Sequence, residues 1–359
     1  MELDLQTFKK IEAVGWTVTF CILFFFFGHV FIFLGICFLV RKFYMWFKTR
    51  QLGLVDPKGK VVVVTGCDSG FGLGLAKRLY PKGFTVFATC LSLESDGAKL
   101  LKNLGTDRLK VIQLDITNDD SVARCLRLVR EECSNTGLYS LVNNAGLNMM
   151  GDVELTTMEQ YLTVGNINMY GMVRMCRAFL PLLRQAKGRV LNVTSAKGLY
   201  AIPSCVSYTM SKFGAEAFSD TLRQEMRQFG VKVSIIEPCN FGGATGCMNE
   251  PALKRIKADF DEMWREASDD VKEFYGHAHF VQQFEGCKKA ALTSAPTIDP
   301  VLDAFEDALC NPCPKVRYLI PGSNSFFDFY QVLTIFMPYL PQTLFDKLLN
   351  YFVPYTIYK

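Results

Sequence analysis

The hydrophobic pattern changes character twice along the chain. From Ala13 to Val40 there is no Asp, Glu, Lys or Arg, and Phe24 to Phe27 are followed closely by Phe31, Ile32, Phe33 and Leu34. A spanning helix needs roughly 20 apolar residues, so residues 13–40 predict one transmembrane helix behind a short N-terminal tail, 1–12. A cleaved signal sequence would have an apolar region of only about 7–15 residues before a small-residue cleavage site. Here the run is longer and ends in Arg41, Lys42, Phe43, Tyr44, Trp46, Lys48 and Arg50. Basic and aromatic residues together mark a membrane interface, so the anchor is expected to be retained. The cationic flank puts the following domain on the cytosolic side, with Lys9 and Lys10 diluting the asymmetry.

After a linker (41–58), short apolar runs alternate with helical stretches. The runs are Val61–Val64, Thr85–Ala88, Val111–Leu114, Leu141–Val142, Arg189–Val193, Val231–Ile236 and Val316–Ile320. Fully apolar, β-branched strands separated by helices indicate a parallel sheet covered on both faces. The predicted fold is α/β, a doubly wound Rossmann sheet over 59–325. Residues 242–300 are expected to form a variable lid, with Gly242 to Gly246 mobile. Residues 326–359 form an aromatic tail, suited equally to core packing and to resting on a membrane.

Composition narrows the reading. The 359 residues suit one α/β domain of about 250 residues plus extra segments. Half of them are hydrophobic, an excess the anchor and tail absorb. The net charge of +4 is dispersed, which excludes the basic stripe of a nucleic-acid binder. The 13 cysteines are odd in number and lack framework spacing, as expected of reduced thiols. Cys310 and Cys313 form a lone C-x-x-C in a Pro-rich turn with no further ligands nearby, so no metal is expected. His277 and His279 are expected at polar lid or surface positions.

Thr65-Gly66-Cys67-Asp68-Ser69-Gly70-Phe71-Gly72 follows the first strand and opens a helix. Glycines there allow a tight turn and a close approach to pyrophosphate at the positive end of the helix. Asp115, after the third strand, could accept from an adenine amino group or cap the next helix. Asn143-Asn144-Ala145-Gly146 ends the fourth strand beside the cofactor path, where it could equally hold a sharp turn. No acid ends the second strand, where Cys90, Leu91 and Ser92 stand, and no cation does either. With Asp68 nearby to repel a 2′-phosphate, NAD is expected over NADP.

Tyr208 and Lys212 stand at i and i+4, one turn apart on a helix. A lysine cation within about 4–6 Å lowers a phenol's pKa, which would fit Tyr208 as an acid/base. Ser195 at the end of the fifth strand could orient and bond a substrate oxygen. Asn168, an unfavoured residue inside a helix, could anchor a water chain from Lys212. Singly each residue reads as structural. Together, in this order behind a glycine turn, they read as a catalytic set, which a silent cofactor-binding scaffold would not need.

These pieces, T-G-x-x-x-G-x-G, N-N-A-G, Asn168, Ser195 and Y-x-x-x-K, resemble the classical short-chain dehydrogenases over about residues 59–325. The resemblance implies hydride transfer between a nicotinamide cofactor and an alcohol or ketone. It implies catalytic roles for Asn168, Ser195, Tyr208 and Lys212, with substrate held at Ser195 and Tyr208. It also implies cofactor contacts at Thr65, Gly66, Ser69, Gly70, Phe71, Gly72, Asp115, Asn143, Ala145, Gly146, Tyr208 and Lys212. Within the family, Thr65–Gly72, Leu141–Gly146, Ala215–Asp220 and Glu237–Phe241 look like the D-3-hydroxybutyrate dehydrogenases and the 17-beta-hydroxysteroid and membrane retinol dehydrogenases. Met263-Trp264 and Phe274–Gly276 extend that likeness. A hydroxy acid or a lipophilic alcohol is the expected substrate, a homo-oligomer the expected assembly. The anchor looks more like those of the steroid and retinol enzymes than a matrix-targeting sequence, so an endoplasmic reticulum membrane is favoured over a mitochondrial one. Two positions depart from the family: Cys239 replaces the Gly of a Pro-Gly turn, and Gly243 stands where a Thr is expected, with Thr245 two residues later.

Overall fold

The computed structural model describes residues 52–245, 247, 249–323 and 328–352, with Val18, Phe24, Phe25, 27–44 and Phe47 before them. The expected tail 1–12, most of 13–26, Trp46, Lys48, Arg50, Gly246 and both ends of the aromatic tail lie outside the described residues. The chain divides into two units, residues 1–54 with 311–313, and residues 55–310 with 314–359.

In the first unit, Phe27–Tyr44 is an 18-residue helix none of whose apolar window is buried. Phe31, Ile32, Phe33 and Leu34 are all more than half exposed. By length and composition this helix can cross a membrane.

The second unit is a seven-stranded parallel sheet in the order β3-β2-β1-β4-β5-β6-β7. The strands are β1 (Val61–Val64), β2 (Thr85–Cys90), β3 (Leu109–Gln113), β4 (Ser140–Asn143), β5 (Arg189–Val193), β6 (Lys232–Pro238) and β7 (Arg317–Ile320). The helices are α1 (Gly70–Leu79), α2 (Asp96–Asn103), α3 (Asp119–Glu132), α4 (Met158–Gly165), α5 (Met172–Ala186), α6 (Val206–Met226), α7 (Glu250–Glu266), α8 (Asp269–Tyr275), α9 (His277–Leu292), α10 (Asp299–Cys310), α11 (Phe329–Phe336) and α12 (Gln342–Phe352).

Alternation along β1 explains why the strand is apolar throughout. Val62 and Val64 join α1, α2 and α10 in one core, while Val61 and Val63 join α3, α5 and α6 in the other. The chain runs outward through β2 and β3, then returns to place β4 against β1. A ligand cleft is expected at that reversal, beyond the C-terminal strand ends.

Two further cores sit on this frame. Met149, Leu155 and Val164 pack with Ile256, Phe260, Met263, Tyr275, Phe280 and Cys287 of α7, α8 and α9, forming the lid. Phe345 and Leu349 of α12 are buried against Ala196 and Tyr200. Part of the aromatic tail is therefore core, while Ile335, Phe336, Tyr339 and Tyr351 stay exposed.

Candidate active site

The turn after β1 is sterically closed to any residue but glycine at two places. Gly66 has φ +72°, and a Cβ there would lie 2.8 Å from the Ala145 Cα. A Cβ on Gly72 would lie 2.3 Å from the Gly66 carbonyl oxygen. Ser69 caps α1 without a side-chain hydrogen bond, and the first turn holds no acid. The first N–H groups of α1 are thus left for an anion at the positive end of the helix. Gly66, Ser69, Gly70 and Phe71 line the cleft. Thr65 stands behind it, its hydroxyl accepting from the Asn144 and Ala145 N–H groups at 2.9 and 3.0 Å.

The missing acid of β2 is supplied from this turn. Asp68 accepts from the Leu91 N–H at 2.9 Å and the Ser92 N–H at 3.2 Å, which fixes a carboxylate at the end of β2. The start of α2 presses on it from behind, since a Cβ on Gly97 would lie 2.2 Å from the Asp68 carbonyl oxygen. Asp115 lines the cleft and accepts from the Thr117 N–H and hydroxyl at 2.8 and 2.7 Å. The cap of α3 is Asn118, not Asp115. Asn143 does not join the cleft. Its amide donates to Asn192 at 2.8 Å, inside the sheet, because neighbouring strand residues face opposite sides. The next residue, Asn144, lines the cleft instead, its amide donating to the Thr65 and Gly66 carbonyls at 2.8 and 3.1 Å.

Ser195, Tyr208, Lys212 and Asn168 come together from three segments. The Lys212 ammonium is 5.5 Å from the Tyr208 ring centroid and donates to the Val193 carbonyl at 3.0 Å. The Ser195 hydroxyl acts to lower the Tyr208 phenol, and donates to the Pro238 carbonyl at 3.3 Å. Asn168 sits in a π-helical turn, Asn166–Gly171, between α4 and α5. Such turns recur at functional sites. Its side chain grips the Leu147 backbone, accepting from its N–H at 2.7 Å and donating to its carbonyl at 2.8 Å, and also donates to Ser211 at 3.0 Å. A Cβ on Gly146 would lie 3.3 Å from the Asn168 side-chain oxygen and 3.7 Å from the Lys212 nitrogen.

The electrostatics depart from expectation. Burial outweighs every counter-charge on Tyr208 and pushes its phenol up to about 12. Burial also lowers Lys212 to about 8, with Glu216 one turn away opposing that fall. The largest charge that lowers the Tyr208 phenol is Lys197, which sequence reasoning passed over. Its position two residues after Ser195 was the available signal.

On the lid side, His279 is buried rather than a surface residue. Its Nε2 is 2.6 Å from an Asp152 carboxylate oxygen, which the Gln283 amide also approaches. Ser204 donates to the other Asp152 oxygen at 2.8 Å and adopts a left-handed φ of 58°. That conformation is uncommon for a non-glycine residue and is held here by the network. The Gly243 departure also has a steric reason. A Cβ there would lie 2.6 Å from the Ala291 carbonyl of α9, while Thr245, two residues on, lines the cleft. Cys239 needs no positive φ, because its N–H donates to the Ile320 carbonyl at 2.9 Å and continues the sheet.

The cleft encloses about 1100 Å³. The acids lining it, Asp68 and Asp115, lie at its β2–β3 end. The lining cations Lys197, Lys212, Arg255 and Lys289 all lie on the catalytic-helix and lid side. Turn, uncapped helix start and Asp68 together fit a nicotinamide dinucleotide. Among the described residues no group of three His, Cys, Asp or Glu could hold a metal ion.

Residues 60–251 match the sequence profile of the family described as short chain dehydrogenase. The chain is 43% identical over 269 residues to mitochondrial D-beta-hydroxybutyrate dehydrogenase of Bos taurus, covering 74% of this chain and 78% of the bovine one. It is 37% identical over 320 residues to 17-beta-hydroxysteroid dehydrogenase type 6 of Bos taurus, covering 88% and 94%. The crystal structure of a short chain dehydrogenase from Burkholderia cenocepacia, solved in complex with NADP, aligns with a TM-score of 0.59 at 24% identity. That match covers 82% of this chain and 99% of the other, and shows the fold.

Proposed function

The chain belongs to the short-chain dehydrogenase family, oxidoreductases of CH–OH groups that use a nicotinamide dinucleotide, and from that premise we propose that it is an NAD-dependent secondary-alcohol dehydrogenase acting on a hydroxy acid. One observation carries the activity: Ser195, Tyr208 and Lys212 converge on the cleft wall. Gly66, Ser69, Gly70, Phe71, Asp115, Ala145 and Gly146 would hold the cofactor, with Asp68 favouring a free ribose hydroxyl over a 2′-phosphate. When bound, that cofactor supplies the hydride acceptor for oxidation and the donor for reduction.

In oxidation Tyr208 takes the carbinol proton, and in reduction it returns one. Ser195 orients the carbinol oxygen and bonds it as charge develops. Lys212 relays the proton, and Asn168 anchors the relay by fixing the Leu147 backbone.

The hydroxy-acid reading is supported by the lining charges, cationic wherever the substrate would sit. A second reading, a steroid or retinoid alcohol, is favoured by the apolar lid core and by the exposed helix Phe27–Tyr44. We take that helix as a single-pass anchor, with an endoplasmic reticulum membrane favoured. The test is a panel of D-3-hydroxybutyrate, 17-beta-estradiol and retinol with NAD and with NADP, on full-length protein in lipid. Turnover of the hydroxy acid with NAD is expected. Turnover of the steroid alone selects the second reading, tighter use of NADP rejects the cofactor assignment, and no turnover of any alcohol rejects the activity. Release of the intact chain by alkaline carbonate would refute the anchor.

A further inference from the structure

A tyrosine that accepts a proton must first carry a negative charge. Here burial opposes that charge and holds the phenol near 12, above the usual value of about 10. Lys212 is the obvious support, but it is 4% exposed, and burial brings its own pKa down to about 8. A cation that sheds its proton below the range where the phenol ionises supports it incompletely.

A second ammonium reaches the same ring from a different segment. Lys197 follows Ser195 in the loop after β5, and its Nζ lies 5.8 Å from the Tyr208 ring centroid, against 5.5 Å for Lys212. Two contacts fix it. Its backbone N–H donates to the Ser195 hydroxyl at 3.2 Å, and its ammonium donates to the Cys205 sulfur at 3.2 Å, next to α6. It is half-buried and lines the cleft, where bound substrate would exclude the water that screens it. The other titratable groups bearing on Tyr208 are the Cys205 and Cys247 thiols, which act in the opposite sense.

We propose that Lys197 is a positioning residue for the reaction, a second cation that holds the Tyr208 phenolate from the β5 loop while Lys212 holds it from the catalytic helix. The proposal rests on Tyr208 being the base. It makes the Ser195 loop contribute two things to one reaction, a hydroxyl for the substrate oxygen and a charge for the phenol.

The test is the pH profile of kcat/KM for alcohol oxidation, with saturating cofactor and the best alcohol of the panel, on full-length enzyme in lipid. Lys197→Met should move the rise of the profile to higher pH by about one unit, an oxidation rate about tenfold lower on its acid side. Lys197→Arg should keep the wild-type profile. NADH fluorescence checks that the cofactor site is intact, and Lys197→Gln reads the same shift if the Met variant does not fold. A loss equal at every pH overturns the proposal and makes the residue structural. An unchanged profile with a raised KM also overturns it and makes Lys197 a substrate contact. Tyr208→Phe is measured alongside. If it stays active, the base assignment fails as well. If it is dead while the Lys197→Met profile is unmoved, this proposal alone fails.

Discussion

The nucleotide end of the cleft is built mainly on one stretch of chain, and the lid network on three. Thr65 to Gly72 turn, cap and line most of the first, where Asp115, Asn144, Ala145 and Gly146 join them and Gly97 presses from behind. At the lid end Asp152, Ser204 and α9, which carries both His279 and Gln283, are separate segments that meet only in the folded chain. The first end works through backbone geometry and can be damaged by a single methyl group. The second works through buried side-chain hydrogen bonds and is damaged by deleting a polar atom. Tyr208 lines the same cleft as residues of both ends.

Tyr208→Phe is the sharpest cut. It removes the hydroxyl and leaves both ends standing, so activity should fall by about 10²–10⁴-fold while cofactor affinity changes little. Equilibrium cofactor titration beside steady-state rates checks it. Activity within a few-fold of wild type would sink the assignment.

The two ends should then answer differently to their own mutations. Gly72→Ala puts a Cβ against a backbone carbonyl that cannot yield cheaply. Overpacking of that kind costs about 1–3 kcal/mol, so cofactor affinity should drop by roughly tenfold or more. Asp152→Ala takes an acceptor from buried His279 and from half-buried Ser204 and Gln283, at about 1–3 kcal/mol for a buried group left unsatisfied. That variant should raise KM for the alcohol and loosen the lid to limited proteolysis, with the cofactor dissociation constant unchanged. If Asp152→Ala weakens cofactor and substrate equally, the two ends are not independent. Asp68→Asn should have a smaller effect, a narrowing of NAD-over-NADP preference by about tenfold as the negative charge goes. Unaltered preference would remove Asp68 from the ribose site.

The same contrast explains what could be read from the chain. Strand runs such as Val61–Val64 and Arg189–Val193 were legible to the residue, because both faces of a parallel sheet are buried and the signal is continuous. The glycine turn and the Tyr208–Lys212 pair were legible because each is local. The partner of Asn143 was not legible, since its pairing with Asn192 depends on β5, far along the sequence. The burial of His279 was invisible for the same reason, as Asp152 lies 127 residues away. The expected lowering of the Tyr208 phenol by Lys212 failed on a quantity that spacing does not carry, the desolvation of both groups.

The smallest expected effect lies behind the catalytic helix, where another assembly of distant side chains forms. Arg317 of β7 meets Glu216 and Asp220 of α6 at 2.5 and 2.6 Å, and also pairs with Glu237 of β6. One guanidinium cannot neutralise three carboxylates. Burial, followed by the charge of Glu216, raises the Glu237 carboxyl from 4.5 to about 7, with Arg317 opposing. In the folded chain Glu237 therefore keeps a proton that the unfolded chain releases near 4.3. The folded state binds more protons in this window, so this group's contribution to stability is complete below about pH 4.3. It declines as the pH rises and is lost once the pH passes about 7. Glu237→Gln keeps the side chain's shape and cannot ionise, so its urea midpoint should vary less between pH 5 and 7.5 than that of the wild type. The difference should be on the order of 1 kcal/mol, read on detergent-solubilised full-length protein. Parallel pH dependences in the two proteins would show that Glu237 stays ionised in the fold, and that Arg317 is a sufficient partner for all three acids.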